Sequence, residues 1–215
     1  MEKGLVKMQI REKLFTCGCC KHKCKGIEIL SYYSKDCFLD GKPESKKFLP
    51  QIKECPDCHY MSYDIEVPVD EVTRHIVNSM EYRKIVELHS FGYQYEALLK
   101  LAQNDSQKAM ILRRYCWMAE FCSETQLAIE KRKVSNELQR NEIMQNPQAE
   151  TVMMYIDSVR LLGQFDLAGE MLEAIAESII ENKDKQVKIY LIYIAEREFV
   201  KKRDKSPHRI SEVVE

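Results

Sequence analysis

The sequence predicts an α+β protein that is mostly α, with a small N-terminal β ribbon built around a metal and an antiparallel α-hairpin array behind it. Three observations predict it. Two cysteine pairs of identical inner spacing, Cys17-Gly-Cys-Cys20 and Cys55-Pro-Asp-Cys58, sit on turns between strand-like runs in the first quarter of the chain. Near residue 68 turn formers and β-branched residues give way to helical periodicity. After Pro68 only Gly92, Pro147 and Gly163 interrupt the chain before residue 165. The expected domains are a ribbon over 1–68, a helical domain over 69–200 and a basic flexible tail over 201–215.

In the first part, Lys13 to Thr16 and Gly26 to Tyr33 read as short strands, Asp40-Gly-Lys-Pro43 as a turn, and Met61 to Ile65 as an alternating strand. Asp70 is the predicted N-cap of a long helix carrying Val72, Ile76 and Met80 and ending at Phe91-Gly92. Tyr95, Leu98, Leu99 and Leu101 mark the next helix, and Asn104-Asp-Ser106 caps a third with Ile111, Leu112, Tyr115, Trp117 and Met118. Thr125 to Ile143 is amphipathic through Leu127, Ile129, Val134 and Leu138. Asn146-Pro147 starts a helix with Val152, Ile156, Val159 and Leu162, and Gly163 stops it. Leu167, Met171, Leu172, Ile175 and Ile179 form its antiparallel partner, and Asp184 to Phe199 the last helix.

Leu162-Gly-Gln-Phe165-Asp-Leu-Ala168 places small residues at a helix–helix seam and so resembles a tetratricopeptide unit. Phe91-Gly-Tyr-Gln-Tyr-Glu-Ala97 is a weaker echo 71 residues earlier, and the unit between them, around Trp117 to Ala128, lacks the glycine.

A C-x2-C turn aims two thiolates at one cation, and two such turns close a four-sulfur tetrahedron with no open position. Cys17, Cys20, Cys55 and Cys58 are the predicted ligands, one structural zinc per chain the predicted ion, and catalysis is not expected from a closed shell. Cys19 is an alternative to Cys20, and His22 or His59 to one thiolate. Cys24 and Cys37 read as packing or spare thiols, and Cys116 and Cys122 as helix core. Seven of the nine cysteines fall between 17 and 58, an odd number that suits reduced thiolates on metal better than disulfides. A redox reading of Cys55-Pro-Asp-Cys58 is disfavoured because the pair runs into a strand and not into a helix.

Thirty-three lysines and arginines balance 34 acidic residues among 215, so no global field recruits nucleic acid or membrane. With no apolar run of the length a signal peptide or membrane span needs, the chain reads as cytosolic, with no membrane partner. Lys21-His-Lys-Cys-Lys25 reads as a solvated loop, with nucleic acid as a weak alternative partner. There is no nucleophile elbow, phosphate-cradling glycine loop or H-E-x-x-H, and Glu120 and Glu196 read as exposed helix charge. No catalytic residue is assigned.

The N-terminal cysteine pair, Ser34-Lys-Asp36, Glu-Cys55-Pro-Asp-Cys58-His-Tyr60-Met, Tyr115-Cys-Trp117-Met-Ala119 and Leu162-Gly-Gln-Phe165 together resemble the uncharacterised bacterial family catalogued as domain of unknown function 2225. His59 stands where that family usually has glycine, and Cys17-Gly-Cys-Cys20 where it usually has C-P-x-C. The resemblance implies a cytosolic zinc ribbon with tetratricopeptide-like helices and no established activity. The expected function is a zinc-stabilised interaction or scaffold module for a protein or peptide partner; a nucleic-acid-associated ribbon, and a thiol redox sensor or enzyme using the surplus cysteines, are the alternatives. Tyr155 and Arg160, flanking the stripe Val152, Ile156, Val159, are the residues expected to meet a partner from the surface of the array.

Overall fold

The structure is a computed structural model and describes residues 9–31 and 36–214. It is mostly helical, with a small antiparallel N-terminal sheet, as the sequence predicts. The Tyr32–Tyr33 end of the predicted second strand, and Ser34, lie outside the described residues. Two compact units divide the described chain: unit 1 holds 9–31 and 47–111, and unit 2 holds 36–46 and 112–214. The composition change at 68 therefore falls inside unit 1, because the first helices pack with the ribbon.

In unit 1, β1 (Gln9–Thr16) and β2 (Lys23–Ser31) form an antiparallel hairpin, with Phe15 opposite Cys24 and Leu14 opposite Lys25. A second, two-residue ladder joins β3 (Lys53–Glu54) to β4 (Met61–Ser62). The predicted strand to Ile65 stops short because side chains compete for its backbone: the Ser62 Oγ accepts from Asp64 N–H at 3.1 Å, and Asp64 Oδ1 accepts from Glu66 N–H at 3.2 Å.

The single long helix expected after Asp70 is two helices, α1 (Glu71–Val77) and α2 (Met80–Leu88). Asp70 does cap α1, but Ser79 takes an extended conformation (ψ 153°) and its hydroxyl accepts from Tyr82 N–H at 3.3 Å, which starts a new helix. The break also changes the buried stripe. Thr73, Val77, Tyr82 and Val86 face inward, while Val72 and Met80, predicted to be core, are 67% and 85% exposed. Helix α3 (Tyr93–Leu101) packs on α1, α2 and β4, burying Tyr95, Ala97 and Leu98. The division between units falls within α4 (Asp105–Phe121), whose first turn is capped as predicted by Asn104 Oδ1, accepting from Gln107 N–H at 2.9 Å.

Unit 2 is built from the rest of α4 with α5 (Thr125–Gln145), α6 (Ala149–Leu161), α7 (Phe165–Glu181) and α8 (Val187–Lys201). Ile156, Val159, Ala168, Leu172, Ile192 and Tyr193 form its core, and Leu39 joins them from the 36–46 segment. The α6–α7 turn follows the sequence reading: Gly163 is left-handed (φ 76°), and Phe165 and Ala168 are buried. The interval without a glycine makes the same turn with Ser123 (φ 63°), five residues before buried Ala128 as Gly163 is before Ala168. In both, the next N–H closes back on the helix: Glu124 onto Ala119 O at 2.9 Å and Gln164 onto Val159 O at 3.3 Å.

Three expectations for unit 2 are corrected by burial. Tyr155 and Arg160, expected on the surface, are 3% and 0% exposed, and Glu196, expected as solvent charge, is 0% exposed. Arg160 lies between Asp157 and Glu196, donating to both, and its Nη1 also donates to the carbonyls of Asp204 (2.6 Å) and Ser206 (3.0 Å). This cluster also overturns the flexible tail. The chain after Lys201 is fastened by Arg160, its Ile210, Val213 and Val214 pack on the core, and Leu39 N–H donates to His208 O at 3.0 Å. Burial, followed by the neighbouring Asp157 carboxylate, pushes Glu196 up to about 9, so a proton is held between the two acids beside the single guanidinium. Among the described residues, no helix is long and apolar enough to cross a membrane.

Candidate metal centre

Each cysteine pair sits on the same backbone turn. In the first, Cys17 N–H donates to His22 O at 2.9 Å and Lys21 N–H returns to Cys17 O at 2.9 Å; in the second, Cys55 N–H donates to Tyr60 O at 3.0 Å and His59 N–H returns to Cys55 O at 2.9 Å. Both turns need a left-handed residue directly after the second cysteine, and Lys21 (φ 68°) and His59 (φ 60°) fill it. That explains why glycine suits this position and why a histidine there leaves the geometry intact.

The four predicted sulfurs converge. Cys17 and Cys58 Sγ are 3.7 Å apart, Cys20 and Cys55 Sγ 3.7 Å apart, and all four lie within 4.8 Å of one another. They are free thiols, well beyond the roughly 2.05 Å of a disulfide. A regular tetrahedron of sulfurs around zinc, at about 2.3 Å from the metal, has edges of about 3.8 Å. Two edges already match that length and the rest stay within 4.8 Å, so the four sulfurs can close around such an ion. Cys17 Sγ further accepts from the Cys19 N–H at 3.4 Å, which orients it and stabilises negative charge. At Cys55 burial opposes ionisation, but hydrogen bonds from the amides of Cys58 and Asp57 together with the neighbouring Cys20 and Cys17 thiols outweigh it and hold the thiol below its ordinary range. Burial pushes Cys58 the other way. Thiolates packed this closely need a cation to ionise together.

No protein-family model, curated relative or solved structure matches the chain.

The alternatives to these ligands resolve by position. Among the described residues, the four cysteines are the only group of histidines, cysteines and carboxylates drawn together closely enough to hold a metal. His59 turns to Glu54, with Nδ1 2.8 Å from Oε1, and Glu54 Oε2 in turn accepts from Tyr93 OH at 3.1 Å. His22 is an exposed residue of the turn. Cys19 and Cys24 are half-buried beside the cluster without joining it, and Cys37 lies in unit 2. Cys116 is buried as predicted, but Cys122 is exposed, because α4 ends one residue before it.

Three supporting residues escape a reading of the sequence. Gly18 is required because a Cβ there would lie 1.9 Å from Val67 O, and its N–H donates to Ile65 O at 2.8 Å. Proline, without the N–H, is excluded for the same reasons. Tyr82, fully buried on α2, donates to His59 O at 3.0 Å and accepts from Met61 N–H at 3.2 Å, pinning the second knuckle to the helix. Glu66 accepts from Thr16 N–H at 3.3 Å and from Lys13 Nζ at 2.6 Å, fixing the hairpin beside the first knuckle. Only the glycine carries a signal in sequence, as an unusual residue inside a cysteine knuckle.

Proposed function

We propose that the protein is a zinc-stabilised interaction module, in which Cys17, Cys20, Cys55 and Cys58 hold one structural Zn2+ and the ribbon so formed carries a docking surface for another protein. The metal assignment rests on the four-sulfur geometry.

The observation supporting an interaction role is the β1–β2 hairpin. Its inner face is committed to unit 1 through Lys13–Glu66 and through Lys53 Nζ, 4.1 Å from the Phe15 ring centre. Its outer face is open and largely apolar: Ile10, Leu14 and Ile27 are 53%, 55% and 52% exposed around exposed Glu12, and the same face runs into exposed Lys23 and Lys25. Three half-exposed aliphatic residues on one short hairpin mark a contact surface. Aliphatic side chains beside lysines suit an acidic, apolar protein segment. The supports expected at Tyr155 and Arg160 have no part in this reading, because both are buried.

A photo-crosslinking amino acid at Leu14 in the full chain tests it. Crosslinks to one protein through a segment rich in acidic and aliphatic residues, lost on Ile27→Glu with zinc content unchanged, support the proposal. Crosslinks to nucleic acid, or to no macromolecule, overturn it.

A further inference from the structure

The four sulfurs of the metal centre are unequally protected. Cys17 and Cys55 are 0% exposed and Cys58 is 8% exposed, whereas Cys20 is exposed to solvent. The cause is local: Cys20 ends the first knuckle, and the chain leaves it through exposed Lys21, His22 and Lys23 before re-entering the hairpin. Cys20 Sγ lies 3.7 Å from Cys55 Sγ, on the other knuckle. A small oxidant in water therefore reaches one thiolate of the shell, and a second cysteine stands behind it.

We propose that Cys20 and Cys55 form a peroxide-sensitive pair, whose oxidation to a disulfide releases the metal. This rests on the zinc reading above. In the first step the Cys20 thiolate attacks one oxygen of hydrogen peroxide, the O–O bond breaks, and the departing hydroxide takes a proton to become water. Cys20 is then a sulfenic acid. In the second step the Cys55 thiolate attacks the Cys20 sulfur, the S–O bond breaks, and the hydroxyl leaves as a second water with a proton from solvent. The two sulfurs give up two electrons, and peroxide accepts two. The sulfurs need to close from 3.7 Å to about 2.05 Å, within the reach of side-chain rotation. Zinc left with two thiolates of its four is weakly held and passes to solvent. The disulfide then ties together the same two knuckles that the metal tied.

Half-buried Cys19 is the adjacent alternative, but a disulfide between neighbouring residues 19 and 20 would require a distorted peptide in a turn already fixed by hydrogen bonds. Cys122, exposed and outside the cluster, serves as the internal comparison for simple thiol oxidation.

The test uses the full-length zinc-loaded chain. Metal content is measured first, then hydrogen peroxide is added while zinc release is followed with a chromophoric chelator and disulfides are mapped by differential alkylation and mass spectrometry. The expected result is loss of the bound zinc in step with a Cys20–Cys55 disulfide, with zinc taken up again after reduction. Cys20→His, which keeps a nitrogen ligand but no oxidisable sulfur, should retain zinc under the peroxide treatment that empties the wild type. If that variant does not fold, the wild-type map decides alone. Zinc released with a disulfide between any other pair, or with no disulfide, overturns the inference and leaves the zinc reading standing; protein that binds no zinc overturns both.

Discussion

Replacing Arg160 by methionine removes a side chain that is 0% exposed and makes four hydrogen bonds: to Asp157, to Glu196, and to the carbonyls of Asp204 and Ser206. Methionine fills much of the volume, so the loss is electrostatic rather than a cavity. Breaking a buried ion pair by removing one partner costs about 3–5 kcal/mol, since it strands the other charge. Here two carboxyls are stranded, although the proton already held between them limits the repulsion. The two tail carbonyls would each cost about 1–3 kcal/mol if they stayed dry, but a detached tail rehydrates them. A net loss of about 4 kcal/mol follows from these opposing contributions. Trp117 is the only tryptophan and lies in unit 2, bonded through Nε1 to Asp40 at 3.1 Å. Its fluorescence during urea denaturation therefore reports this unit. Limited proteolysis should show new cleavage after Lys201 to Lys205. A loss below about 1 kcal/mol, the scale of a surface change, with an uncut tail, would refute the reasoning.

Other expectations follow from single groups. Glu196 has a folded-state pKa of about 9, above its ordinary 4.5, so the folded state binds more protons across that interval and unit 2 loses stability as pH rises from about 5 to 9. The slope is at most about 1.4 kcal/mol per pH unit, and Glu196→Gln should flatten it; a wild-type stability that rises over this range would contradict the assignment. Gly18→Ala drives a methyl into the Val67 carbonyl and should cost the ribbon about 3 kcal/mol, seen as weaker zinc retention against a chelator. Tyr82→Phe removes the link between His59 O and Met61 N–H and should destabilise unit 1 by about 1–2 kcal/mol, measured by amide exchange of residues 59–61; unchanged protection there would remove Tyr82 from the account.

Much of this was legible in the sequence because it depends on local rules. Cys-x-x-Cys spacing states which sulfurs share a turn, and Asp70, Asn104 and Gly163 declare helix ends by their own side chains or lack of one. What escaped depends on partners distant in sequence. Val72, Ile76 and Met80 have helical spacing, yet α1 stops at Val77, Ser79 starts a new helix, and the buried positions are Thr73, Val77, Tyr82 and Val86, with Val72 and Met80 left exposed. Arg160 and Glu196 look like exposed helix charges because nothing local reveals that they meet, buried, across 36 residues of sequence. The tail is basic and reads as solvated, but its backbone carbonyls, which carry no sequence signal, are what Arg160 holds. The site itself was legible in its ligands and silent in its supports: Tyr82 is an ordinary aromatic until its hydroxyl is seen between the two ends of a knuckle.

The central claim is that four cysteines from two knuckles hold one metal ion. Elemental analysis of the full-length protein, purified without chelator, tests it most directly when wild type is compared with the Cys55→Ser, Cys58→Ser double variant. The account predicts one zinc per chain in the wild type and none in the variant. Wild-type protein without zinc, or a variant that keeps it, would contradict the account at its base.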